Sequence, residues 1–127
     1  MKWDHIGIKS RDMAKSLHFY CDLLGMERKE VLEILGKTLV FVGNETTLIE
    51  IEPANPSDRP ADPRTQAGLY HLGFQVRGLD ALLARLQADG VSVTLPPFRT
   101  RPDRRVAFVE DPDGVFVQLI EIADPAC

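Results

Sequence analysis

Asp4-His5-Ile6-Gly7-Ile8 and Tyr70-His71-Leu72-Gly73-Phe74 share the pattern x-His-apolar-Gly-apolar and lie 66 residues apart. Self-similarity at such a distance marks a duplicated folding unit. The likeness continues outward from both stretches. After the first, Met13, Leu17, Tyr20 and Leu24 recur at helical spacing, with Ser10 the expected N-cap and Gly25 the stop. After the second, Leu79, Leu82, Leu83 and Leu86 form the stripe and Gly90 is the stop. Hairpins follow in both copies. Thr38 to Val42, a turn at Gly43-Asn44-Glu45 and Thr46 to Glu52 make one; Arg105 to Val109, a turn at Asp111-Pro112-Asp113-Gly114 and Val115 to Ile122 make the other. Val31 to Leu35 and Val91 to Leu95 are the expected preceding strands. Each half therefore reads strand–helix–strand–strand–strand, an α+β fold of two βαβββ modules.

A chain of 127 residues suits a single domain, with modules at 1–52 and 69–127. Between them, 53–68 carries four prolines (Pro53, Pro56, Pro60, Pro63) among polar residues and reads as a linker. With 44% hydrophobic and 27% charged residues, the chain can bury a sizeable core. A net charge of −4 argues against a general nucleic-acid binder. No apolar run is long enough for a membrane span, and the start Met1-Lys2-Trp3-Asp4-His5 lacks the apolar region of a signal peptide. Cys21 and Cys127 are too few for a disulfide framework, so a cytoplasmic protein with reduced thiols is expected.

Alternation along the strands sorts the polar residues. Ile6 and Ile8 oppose His5 and Gly7, and Ile49 and Ile51 oppose Glu50 and Glu52. Leu72, Phe74 and Val76 oppose His71, Gly73 and Gln75, and Val117 and Leu119 oppose Phe116, Gln118 and Ile120. If helices cover the apolar faces, the other faces carry two imidazoles, a carboxylate and an amide. A single strand histidine is more often a hydrogen-bonded surface or core residue, and a single strand glutamate a solvated one. Here the histidines are repeat-matched, and Glu50 and Gln118 follow them by 45 and 47 residues. A metal ion is one partner that could satisfy all four.

These residues resemble the vicinal oxygen chelate superfamily, which includes glyoxalase I, methylmalonyl-CoA epimerase, extradiol dioxygenases, and fosfomycin- and bleomycin-resistance proteins. The resemblance spans essentially the whole chain. Its markers are His5-Ile6-Gly7-Ile8, Ser16-Leu17-His18-Phe19-Tyr20, Leu23-Leu24-Gly25-Met26, Leu48-Ile49-Glu50-Ile51, Tyr70-His71-Leu72-Gly73-Phe74 and Phe108 to Gly114. It implies paired βαβββ modules curling into a cup-shaped mixed sheet with helices outside, and a homodimer with sites shared between chains. It also implies one divalent metal (nickel, cobalt, zinc, manganese or iron) on His5, Glu50, His71 and Gln118. Short bacterial glyoxalase I would have Glu where this chain has Gln118. Glu121 lies an odd number of residues away, on the other face. The epimerase order His, Gln, His, Glu appears here as His, Glu, His, Gln.

The implied chemistry is glyoxalase I-like: proton transfer on a small oxygenated substrate through a metal-stabilised enediolate, by a lyase or isomerase. An epimerase of the same chemistry, a metal-free drug-binding resistance protein and a non-haem iron dioxygenase are the alternatives. Glu50 is the expected base, with Glu52 in reserve, since an amide cannot take the proton. Arg99, Arg101, Arg104 and Arg105 read as a basic loop. Beside its bland reading as a solvated loop, Arg101 and Arg104 are candidates to hold an anionic substrate group, with Phe116 a further substrate-binding candidate. His18 reads as structural and Cys21 as a packing residue; neither cysteine has a base at motif spacing.

Overall fold

The strands pair as the repeat demands. The computed structural model describes residues 1–123, and the chain divides into two compact units, Met1–Arg59 and Pro60–Cys127. The first unit runs β1 (Ile6–Ser10), α1 (Met13–Leu17) continuing as a π-helical segment (His18–Leu23), β2 (Glu27–Ile34), β3 (Lys37–Gly43) and β4 (Leu48–Pro53). The second runs β5 (His71–Gln75), α2 (Leu79–Ala88), β6 (Val93–Arg101), β7 (Arg104–Glu110) and β8 (Phe116–Ile122). Each unit is βαβββ with its own four-stranded mixed sheet, ordered β1-β4-β3-β2 and β5-β8-β7-β6. In both sheets the first strand lies parallel to the last, and the remaining pairs are antiparallel. The fold is thus α+β, as the periodicity predicts.

One face of each sheet is apolar and carries the helix. Ile49 and Ile51 in the first unit, and Val117 and Leu119 in the second, are fully buried; each such side chain contributes about 1.5–3 kcal/mol. Ser10 shares the face of Ile6 and Ile8, and its hydroxyl lies 2.5 Å from that of Ser16 in α1. Glu121 shares the face of Val117 and Leu119, and accepts the Leu79 N–H of α2 at 2.8 Å. The helices therefore leave the opposite faces to the histidines, Glu50 and Gln118.

The first helix departs from expectation. Its N-cap is Asp12, whose carboxylate accepts the Lys15 N–H at 3.2 Å, not Ser10. Ser10 is still in the β1 ladder, opposite Pro53, with its hydroxyl turned inward. Further on the helix widens, and the Leu24 N–H donates to the Phe19 carbonyl five residues back. The adjacent Phe19 and Tyr20 are both buried in this wide turn, and the Met26 N–H closes it on the Tyr20 carbonyl. α2 is regular: Leu79, Leu83 and Leu86 are buried, and Gly90, at φ +89°, ends it with the Val91 N–H on the Leu86 carbonyl.

Strand ends also shift. β2 begins at Glu27, ahead of its apolar residues, because backbone pairing with β3 carries a solvated strand. β4 starts only at Leu48, since the Asn44 side chain accepts the Thr46 and Thr47 N–H groups, each at 2.9 Å, and holds a turn there. The basic stretch is the tip of the β6–β7 hairpin. Arg105 there faces the helix, bonded to Glu121 and Asp80, each at 2.9 Å. It is structural, not part of a free basic loop. Cys127 lies outside the described residues. Among the described residues, no helix is long and apolar enough to cross a membrane.

Candidate functional site

In the first unit, register places Gly7 and Phe41 on either side of Glu50. His5, one residue before β1, brings its Nε2 to 3.5 Å from Glu50 Oε2 and sets its ring edge-on to Phe41 at 5.7 Å. In the second unit, Gly73 and Phe108 flank Gln118 in the same way, and the His71 ring meets Phe108 at 5.0 Å and 83°. Each unit thus builds the same group: a histidine, a glycine, a phenylalanine and a carboxylate or amide. The glycines leave the donor oxygens uncovered, since a Cβ would stand 3.9 Å from Glu50 Oε1 at Gly7 and 3.4 Å from Gln118 Oε1 at Gly73.

Sequence reasoning missed Phe41 and Phe108. They follow their histidines by 36 and 37 residues (41 − 5 and 108 − 71), an offset match that could have found them.

The two histidines differ in their surroundings. His5 Nδ1 lies 2.5 Å from Asp4 Oδ2. This hydrogen bond, aided by the Asp4 and Glu50 charges against some burial, holds the His5 pKa above the ordinary histidine value. The Asp4 and Glu50 charges attract cations, but a metal on this ring would have to displace its second proton. His71 is braced by Tyr70 at 4.9 Å as well as by Phe108, and its buried Nδ1 has no hydrogen-bond partner among the described residues. A buried nitrogen without a partner costs about 1–3 kcal/mol. Imidazole, carboxylate and amide oxygen suit divalent transition metals, so the donors in each unit fit a metal chemically. Among the described residues no group of three or more His, Cys, Asp and Glu side chains forms a metal cluster; the first unit brings His5 and Glu50 together, and the second sets His71 against Phe108, the register partner of Gln118.

The other candidates are spread along these sheets. Glu52 is tied to Lys37 at 3.1 Å. Arg101 and Arg104 are register partners at the hairpin tip; Arg101 is exposed, and the buried Arg104 Nε has no partner among the described residues. Arg104, Val106 and Phe108 alternate onto the face of Gln118. The exposed Leu95 and Phe98 pair with Phe108 and Val106, extending that face. Phe116 is buried beneath the Arg64 guanidinium, 4.7 Å from its ring centre, and beside Tyr70. His18 pairs with Asp22 at 2.9 Å on the helix surface. Burial raises the Cys21 pKa, with the Arg28 charge opposing, so the thiol is no ready nucleophile.

A family model described as the glyoxalase/bleomycin resistance protein/dioxygenase superfamily matches residues 2–119. The chain belongs to this superfamily. Within it, a probable lactoylglutathione lyase of Synechocystis is 33% identical over 124 residues, covering 92% of each chain. The uncharacterized protein YaeR of Escherichia coli is 32% identical over 122 residues, covering 92% of this chain and 93% of its own. The structure of the fosfomycin resistance protein FosX from Listeria monocytogenes, complexed with Mn(II) and sulfate ion, superposes with a TM-score of 0.70. It is 18% identical, covering 94% of this chain and 91% of that one, and speaks for the superfamily fold.

Proposed function

We propose that this chain is a glyoxalase I-like lyase or isomerase that moves a proton on a small oxygenated substrate. The observation that carries the reading is the duplicated donor group, His5 with Glu50 and His71 with Gln118, each beside a glycine and a phenylalanine. The relative named as a probable lactoylglutathione lyase supports the reaction class. In this reading all four residues hold one divalent metal, which when bound would act as a Lewis acid on neighbouring substrate oxygens. The Mn(II)-bound FosX structure gives a superfamily precedent for a metal. The site is completed in a homodimer.

Glu50 is the base. It carries the carboxylate of the donor set, and the Gln118 amide cannot accept the proton. Its half-buried position limits solvation and keeps it beside the His5 imidazole. Arg101 and Arg104 hold an anionic group of the substrate, since guanidinium offers paired donors to carboxylate or phosphate. Leu95 and Phe98, paired with Phe108 and Val106, lie on the sheet face between those arginines and Gln118.

The test is elemental analysis of protein purified without added metal, followed by assay for lactoylglutathione formation. Roughly one divalent ion per site and measurable turnover are expected. Glu50→Gln should cut kcat by roughly 10²–10⁴-fold, the range for general-base loss, while some metal stays bound. Full activity in that variant would remove Glu50 from the chemistry, and metal-free active protein would remove the metal.

A further inference from the structure

The two copies of the motif differ at the residue before the histidine: Asp4 in one, Tyr70 in the other. Asp4 Oδ2 sits 2.5 Å from His5 Nδ1, while His5 Nε2 lies 3.5 Å from Glu50. Tyr70 instead packs its ring against His71, whose Nδ1 has no partner among the described residues. One imidazole is oriented by a carboxylate and the other by aromatic walls. A carboxylate beside Nδ1 requires the proton on that nitrogen. In the neutral ring the lone pair is then on Nε2, the nitrogen on the side of Glu50. The Phe41 ring limits rotation of the imidazole out of this arrangement.

We infer that Asp4 is a positioning residue: its carboxylate fixes the Nδ1–H tautomer of neutral His5 and so leaves the Nε2 lone pair free beside Glu50, where both could face one cation. Its use at the site rests on the function proposed above; the tautomer itself does not. Partners of this type, one bond removed from a ligand, commonly change metal affinity by about 10–100-fold when replaced.

The test uses the full-length protein and the variants Asp4→Ala, Asp4→Glu and Tyr70→Phe. Long-range ¹⁵N–¹H spectra of the imidazoles are recorded without metal, at a pH where the rings are neutral. Nickel(II) affinity is measured separately by chelator competition. The wild type should show His5 as Nδ1–H. Asp4→Ala should move it toward Nε2–H and weaken nickel binding by roughly 10–100-fold. Asp4→Glu should recover part of both, and Tyr70→Phe should leave the His5 signals in place. An unchanged His5 tautomer in Asp4→Ala overturns the inference. A changed tautomer in a protein whose wild type takes up no nickel upholds Asp4's role and strikes down the metal reading instead.

Discussion

Glu121 does for α2 what the helix's own N-cap cannot. That N-cap is Gly78, at φ +64°, which has no side chain to accept a hydrogen bond. The acceptor comes from β8: Glu121 takes the Leu79 N–H at 2.8 Å and also the Arg105 guanidinium. Removing a capping acceptor costs about 0.5–2 kcal/mol. Arg105 keeps Asp80 as a partner, so it is not stranded. Glu121→Ala should therefore lose about 1–2 kcal/mol, or roughly 3–8 °C in Tm for a chain of this size. Glu121→Gln, which retains an acceptor oxygen, should fall between. The Leu79 N–H, followed by Arg105, holds the Glu121 pKa below the ordinary glutamate value. A depressed carboxylate stabilises fully above its unfolded pKa of about 4.3, and that contribution fades as pH falls through the folded value. Thermal melts followed by circular dichroism should show the largest gap between wild type and Glu121→Ala at neutral pH, closing below about pH 4. Equal melting temperatures at pH 7, or a gap indifferent to acid, would refute the reasoning.

Leu35 occupies the left-handed region at φ +52° in the turn between β2 and β3, fully exposed. Leu35→Asn should stabilise by about 1 kcal/mol, and an unchanged or lower denaturation midpoint would contradict this. Gly114 combines φ +85° with an Ala61 carbonyl oxygen 2.5 Å from where a Cβ would stand. Gly114→Ala should destabilise by more than about 1 kcal/mol in urea melts, and tolerance would mean the loop yields easily. Replacing Arg101 and Arg104 together with alanine should raise KM for an anionic substrate by roughly tenfold with kcat little changed. An unmoved KM would take both arginines out of substrate binding.

Much of this was legible in the residues because a strand's period of two leaves little choice. Once Ile49 and Ile51 are buried, Glu50 must face away from the helix, and the same parity frees Gln118 and removes Glu121. The first helix was harder: a 3.6-residue period gives no sign of the wide turn over His18–Leu23, which buries Phe19 along with Tyr20. The Asp12 cap was hidden by Ser10, a better match to the cap pattern that the β1 ladder had already claimed. Arg105 looked like part of a basic cluster because its acids, Asp80 and Glu121, are 25 and 16 residues away in sequence. Parity sets which face a donor occupies within a sheet. That parity puts His5, Glu50, His71 and Gln118 on the faces the helices leave open.

β2 and β6 each end their sheet on the side away from β1 and β5, and unpaired backbone groups on such an edge could template aggregation. The two halves guard against this differently. β2 precedes the exposed Val31 and Ile34 with Glu27, Arg28, Lys29 and Glu30 and sets Glu33 between them, so a docking strand would meet charge. β6 sets Pro96 and Pro97 between Leu95 and Phe98, where its register breaks and two N–H donors are missing. Duplication copied the vulnerability along with the fold, and each copy solved it with its own chemistry. Substituting these prolines should therefore affect solubility more than folding.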